Sequence, residues 1–157
     1  MSGCCNYLFD DFVFEDLTSA KPPDKKGVYV IRVKSKREVP LGDMIEKTRQ
    51  LLSNIGWDLV TDFIMSRVKR LENIGNCPII YIGSAGTQKE SKNTLKKRYE
   101  EFANRHTAMY PIWVLLYFGW KLEFGWKISA NPLHDENELK RNYQILHGGK
   151  LPALVEK

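Results

Sequence analysis

Gly27-Val-Tyr-Val-Ile-Arg-Val33 and Cys77-Pro-Ile-Ile-Tyr-Ile-Gly83 decide how this chain folds. Both runs are rich in β-branched and aromatic residues, which suit a pleated, half-buried surface. Lys-Pro-Pro-Asp-Lys-Lys precedes the first and Gly83 closes the second, so turn formers bound them. Pro78 falls at a strand start, where a missing N–H does least harm to a ladder. Two central strands are predicted. Each carries a tyrosine near a glycine, as Gly27-Val28-Tyr29 and as Tyr81-Ile82-Gly83. Tyrosines pack well in any strand and glycines punctuate strand ends, so neither triplet alone points beyond packing.

Between the two runs, Leu41, Met44, Ile45, Leu52 and Ile55, then Leu59, Val60, Phe63, Ile64, Val68 and Leu71, recur at three- and four-residue steps broken by Asn54-Ile-Gly56. That period predicts a helical hairpin within residues 34–76. Downstream lies a polar loop, Thr87 to Asn93, containing Lys89 and Lys92. Asn93 or Thr94 then caps a helix bearing Leu95, Tyr99, Phe102 and His106, which Pro111 ends. Ile112 to Gly119 and Leu122 to Ile128 read as aromatic strands joined near Gly119-Trp-Lys121. Asn131-Pro-Leu-His-Asp135 leads into a polar helix that Gly148-Gly149 stops. Residues 1–24 alternate aromatics with acids and read as a lead-in packed on the body. The expected fold is α+β, one domain over residues 1–157, with a small antiparallel sheet flanked by helices.

A chain of 157 residues has room for one domain with a sizeable core. Its 43% hydrophobic and 27% charged residues are globular proportions, which argue against disorder, collagen and coiled coil. The least polar stretch, Ala108 to Trp120, is 13 residues long and contains Pro111 and Gly119, whereas a membrane helix needs about 20 apolar residues. The N-terminal sequence lacks the basic start and apolar core of a signal peptide, so an intracellular location is expected. Cys4, Cys5 and Cys77 have neither zinc-type nor CxxC spacing. The net charge is +5, but residues 1–24 hold one lysine against five acids, a charge of −4, which leaves +9 on the rest. Such a field favours a polyanionic partner, nucleic acid being the commonest, though a solvated basic surface explains it equally well.

Two positions could carry chemistry. On a helical wheel Arg98 falls about 60° from Leu95, bordering the apolar face, whereas Lys97 points away from it. A guanidinium turned toward the body needs a counter-charge, either a protein carboxylate or a phosphate. In Asp135-Glu136-Asn137-Glu138-Leu139 a carboxylate sits in the first turn of the last helix, where it complements the helix dipole or could hold a hard cation such as Mg²⁺. Other candidates are weaker. His106, His134 and His147 have no zinc-site spacing, and Gly83-Ser-Ala-Gly86 lacks the Gly-Lys-Ser/Thr of a P-loop. Trp113, Trp120, Trp126, Tyr117 and Phe124 read as core packing rather than as base-stacking platforms.

Taken in order, GVY, YIG, an arginine on the following helix and a glutamate on a late helix, the sequence resembles the GIY-YIG nuclease superfamily over about residues 27–152. The resemblance implies a metal-dependent endonuclease that cuts DNA phosphodiesters, with both tyrosines, the arginine and the glutamate converging on one face. Carried over by position, Tyr29 and Tyr81 activate and order the attacking water or contact the scissile phosphate. Arg98 binds that phosphate, and Glu136 holds Mg²⁺ or Mn²⁺, with Glu138 as runner-up. Gly83 and His106 become accessory positions, while Lys89, Lys92, Lys97, Arg67, Lys69 and Arg70 become DNA contacts. Three features depart from the family pattern. Fifty-one residues separate the two tyrosines, which requires a helical insertion over residues 34–76, and a long excursion adds closure entropy only logarithmically. Phe102 stands where the family has a histidine or tyrosine. Pro152 is followed by Ala-Leu-Val, without the family's asparagine. A non-catalytic nucleic-acid-binding module is the alternative.

Overall fold

The computed structural model describes residues 6–54, 66–86, 93–103 and 110–155. Four strands, β1 (Val13–Asp16), β2 (Gly27–Ser35), β3 (Ile79–Ala85) and β4 (Lys121–Ile128), form one sheet in the order β1-β4-β2-β3, with every pairing antiparallel. The α-helices are α1 (Leu41–Asn54), α2 (Leu95–Ala103), α3 (Tyr110–Tyr117) and α4 (Pro132–Leu146). Short 3₁₀ turns occur at Asn6–Phe9 and Lys69–Asn73. The class is α+β. Among the described residues no helix is long and apolar enough to cross a membrane.

β2 lies between β3 and β4, so both its edges are paired, and side-chain clusters bury both its faces, which is why Val28 to Ile31 read as a continuous apolar run. Tyr29, Ile31 and Val33 share one face with Tyr81, Leu122 and Phe124. Met44 of α1, Val68, Leu71, Leu95 of α2 and Leu115 of α3 close over it. Val28, Val30, Ile79 and Ile82 point to the other face, covered by Phe9, Phe12 and, from α4, Tyr143. Burying each of these side chains contributes about 1.5–3 kcal/mol, against which the ordering of the chain must be set. The segment between the motif strands therefore packs on the same face as Tyr29, through Met44, Val68 and Leu71.

Four expectations are corrected. Ile112 to Gly119 is no strand: Tyr110–Tyr117 is a helix, with Pro111 in its first turn, where a missing N–H is harmless. It ends in a Schellman motif, with Trp120 N–H donating to Leu115 C=O, Gly119 N–H to Leu116 C=O, and Gly119 at φ +87°. The lead-in contributes β1, which pairs with β4 from Val13↔Trp126 to Asp16↔Glu123. The last helix begins at Pro132, so Asp135 lies in its first turn and Glu136 just beyond. Of the aromatics expected in the core, Phe124 and Trp126 are buried and Trp120 half-buried, but Trp113 and Tyr117 are exposed.

Candidate active site

The two tyrosine motifs meet across the β2–β3 ladder. Tyr29 pairs with Gly83, so the tyrosine of the first motif faces the glycine of the second. A Cβ on Gly83 would stand 2.5 Å from Tyr29 Cζ and 2.6 Å from its hydroxyl oxygen, closer than real atoms approach. The glycine is there to let the phenol lie across it. Tyr29 is 4% exposed, and its ring stacks between Tyr81 (centroids 5.9 Å apart) and Phe124 (5.4 Å). Burial pushes the Tyr29 hydroxyl well above the ordinary tyrosine range; Tyr81 adds to the shift by its charge and as hydrogen-bond partner, Glu136 by its charge, and Arg98 opposes it. Tyr29 therefore keeps its proton, and its hydroxyl shares a hydrogen bond with that of Tyr81, the half-buried member of the pair.

Gly27 has a parallel reason to be glycine, because a side chain there would strike the Lys127 carbonyl and Leu95 Cδ1. Its absence lets α2 settle onto the start of β2. The helix start is fixed by backbone bonds from Leu95 N–H to Lys25 C=O (2.8 Å) and Lys96 N–H to Pro23 C=O (3.1 Å). The Thr94 hydroxyl accepts from Lys97 N–H (3.3 Å) and donates to Asp24 (2.5 Å), which makes Thr94 the cap. Tyr99 donates to Leu17 C=O at 2.6 Å, fixing the rotation of the helix. Arg98 then flanks the tyrosines with its side chain 35% exposed, and Nη1 donates to Glu101 at 3.0 Å. Its Nε is buried and makes no hydrogen bond among the described residues. Burial works against the Arg98 charge, but the tyrosine hydroxyls beside it and the hydrogen-bonded Glu101 carboxylate favour it, and the guanidinium stays protonated.

Glu136 is anchored separately. Ser84 Oγ donates to Oε1 at 2.7 Å, and Lys140 Nζ to Oε2 at 3.1 Å. Ser84 pairs with Val28, next in register to Tyr29↔Gly83, and successive strand residues point to opposite faces. The carboxylate is thus held on the α4 side of the outermost strand, whereas Tyr29 and Tyr81 rise from the other side. Its charge nevertheless acts on Tyr29. The structure brings Tyr29, Tyr81 and Arg98 together and sets Glu136 across β3 from them. As a holder of Mg²⁺ or Mn²⁺, Glu136 offers a fixed, largely buried carboxylate, which fits a hard cation that takes its remaining oxygens from water and phosphate. Glu138 is exposed and pairs with His134 at 3.4 Å. With Asp135 these two place ligand atoms within 4.8 Å of one another, an exposed and unspecific grouping.

Of the proposed DNA contacts, Lys69 and Lys97 are exposed, and Arg67 and Arg70 are half-buried. Lys89, Lys92 and His106 lie outside the described residues. Sequence reasoning missed Ser84, Lys140 and Glu101, the partners that hold the two charged groups. The spacings of Glu136 to Lys140 and Arg98 to Glu101 carried the signal, since residues three and four apart on a helix are neighbours. No protein-family model, curated protein or solved structure matches the chain.

Proposed function

We propose that this chain is a GIY-YIG-type endonuclease that hydrolyses DNA phosphodiester bonds with Mg²⁺ or Mn²⁺. The observation that carries the reading is the stacked Tyr29–Tyr81 pair, with the Tyr29 ring lying over Gly83 and the Arg98 guanidinium beside it. In this reading residues 34–76 are an insertion between the motif strands, and an intracellular location goes with the substrate. Tyr29, fully protonated, orients Tyr81, and the more accessible Tyr81 meets the attacking water. Arg98 takes a phosphate oxygen and stabilises the charge that develops in the transition state. Glu136 would hold the divalent ion on the far side of the edge strand β3, where an ion, when bound, supplies Lewis acidity to a phosphate that reaches over that edge. The test is incubation with supercoiled plasmid, with and without Mg²⁺ or Mn²⁺. Metal-dependent nicking by wild type that is lost in Glu136→Ala and Tyr81→Phe supports the enzyme.

A second reading, a nucleic-acid-binding module without turnover, is favoured by one observation: both Glu136 oxygens already have partners, one of them a cation. Retained DNA binding with no cutting under any metal selects it.

A further inference from the structure

We infer that Lys140 is the built-in counter-ion of Glu136 and competes with a divalent cation for the same carboxylate oxygen, so that metal binds only by displacing the lysine. This rests on the reading of Glu136 as the metal residue. The pair differs from an ordinary surface i,i+4 bridge. The Glu136 side chain is 15% exposed and that of Lys140 24%, and Oε1 is pinned by Ser84, itself 7% exposed. Screening by water is therefore reduced, and the ammonium is a substantial competitor for Oε2. Ser84 leaves the carboxylate little freedom to turn Oε2 away from Lys140.

The lysine, in contrast, can leave. Its ammonium rides on a flexible four-carbon stem, it makes a single hydrogen bond among the described residues, and its side chain is 24% exposed to solvent. A hard cation carries twice its charge and binds carboxylate oxygen directly. Exchange therefore moves one ammonium out and one dication in, with no covalent change. Lys140 thereby sets the metal concentration at which Glu136 becomes loaded, acting through that carboxylate.

The test is calorimetric titration of the full chain with MnCl₂ alone, in the absence of DNA. Lys140→Met keeps the apolar stem and removes the charge, and it should bind Mn²⁺ at least tenfold more tightly than wild type. Lys140→Arg, which restores a cation, should not gain. Glu136→Gln should lose the site. Melting temperatures supply a second measurement that does not depend on titration quality: Mn²⁺ should raise the melting temperature of Lys140→Met more than that of wild type. If Glu136-dependent binding occurs but is equal in wild type and Lys140→Met, the competition is overturned while the metal reading stands. If Mn²⁺ binding is absent throughout, or is indifferent to Glu136→Gln, the metal reading falls and this inference with it.

Discussion

Tyr29 and Gly83 stand opposite each other in the ladder, with the phenol of one filling the volume where the other would carry a side chain. The two motifs are thus one packing unit, although 53 residues separate these positions along the chain. Gly83→Ala should cost about 1–3 kcal/mol of stability, as overpacking of a close-packed site does. Placed on a Tyr29→Ala background, the same substitution should cost almost nothing further. Denaturant unfolding of the four proteins in the cycle measures this coupling, and additive effects would detach the glycine from the tyrosine.

Removing only the Tyr29 hydroxyl separates chemistry from packing. Tyr29→Phe retains the stacked ring and loses the bond to Tyr81, so stability should fall by about 0.5–1.5 kcal/mol. Plasmid nicking should fall much further than that loss of folded protein explains. Cleavage at the wild-type rate by a folded Tyr29→Phe protein would remove this residue from the site.

High pH should weaken the fold through the same hydroxyl. Its folded-state pKa is raised by burial, so the folded protein holds the proton more tightly than the unfolded chain does. The resulting stabilisation is complete below the ordinary tyrosine value of about 10 and is lost as pH climbs from there toward the raised folded value. Tyr29→Phe has no such proton, so between about pH 9 and 11 it should lose less stability than wild type does. Melting temperatures across that range decide it.

Among the described residues Arg98 pairs with Glu101, and both side chains are more than one-third exposed, at 35% and 42%. Such a pair is worth about 0–1 kcal/mol, so Arg98→Ala should melt within a few degrees of wild type. If the guanidinium serves the scissile phosphate, cleavage should drop about a hundredfold or more. Arg98→Lys should keep most DNA binding and still lose cleavage, because a point charge lacks the two-pronged contact. A large loss of stability in Arg98→Ala with full cleavage by Arg98→Lys would make the arginine structural.

DNA binding is expected to weaken with salt, since each phosphate neutralised releases about 0.9 counterion. Lys69 and Lys97 are exposed, so Lys69→Ala and Lys97→Ala should each lower the slope of log affinity against log salt by about that amount. Fluorescence anisotropy with a labelled duplex measures it. Unchanged slopes would take both lysines out of the DNA-binding face.

Strands β2 and β3 were legible because each is a concentrated β-branched run cut off by turn residues, and α1 because its apolar period is regular. The α3 segment misled for a physical reason. Its residues are apolar nearly all round, which erases helical periodicity, and Ile112, Trp113, Val114 and Tyr117 favour strands on propensity alone. Its helical state is dictated by what surrounds it, with Ile112, Val114 and Leu115 buried beneath a sheet face. β1 escaped notice because four residues with two acids carry little local signal, and its pairing is decided by β4, more than a hundred positions away. For the site, the tyrosines and Arg98 could be named from order and helical phase. That Glu136 sits on the other side of β3 could not be, because the side on which α4 docks is a property of the assembled sheet.

The strand order β1-β4-β2-β3 also governs how the molecule can come into being. The strand that joins β1 to β2 is the last of the four to be made, so a chain emerging from the ribosome can pair β2 with β3 yet leaves β2's second edge and the whole of β1 unmatched until Ile128 is out. Until then the aromatic, acidic N-terminal segment has no strand to join, and an unpaired apolar edge is open to other chains. Closure waits on contacts more than a hundred positions apart, and such long-range pairing slows folding. The acids interspersed with Phe9, Phe12 and Phe14 then serve a purpose before the native state exists, keeping a waiting aromatic segment dissolved.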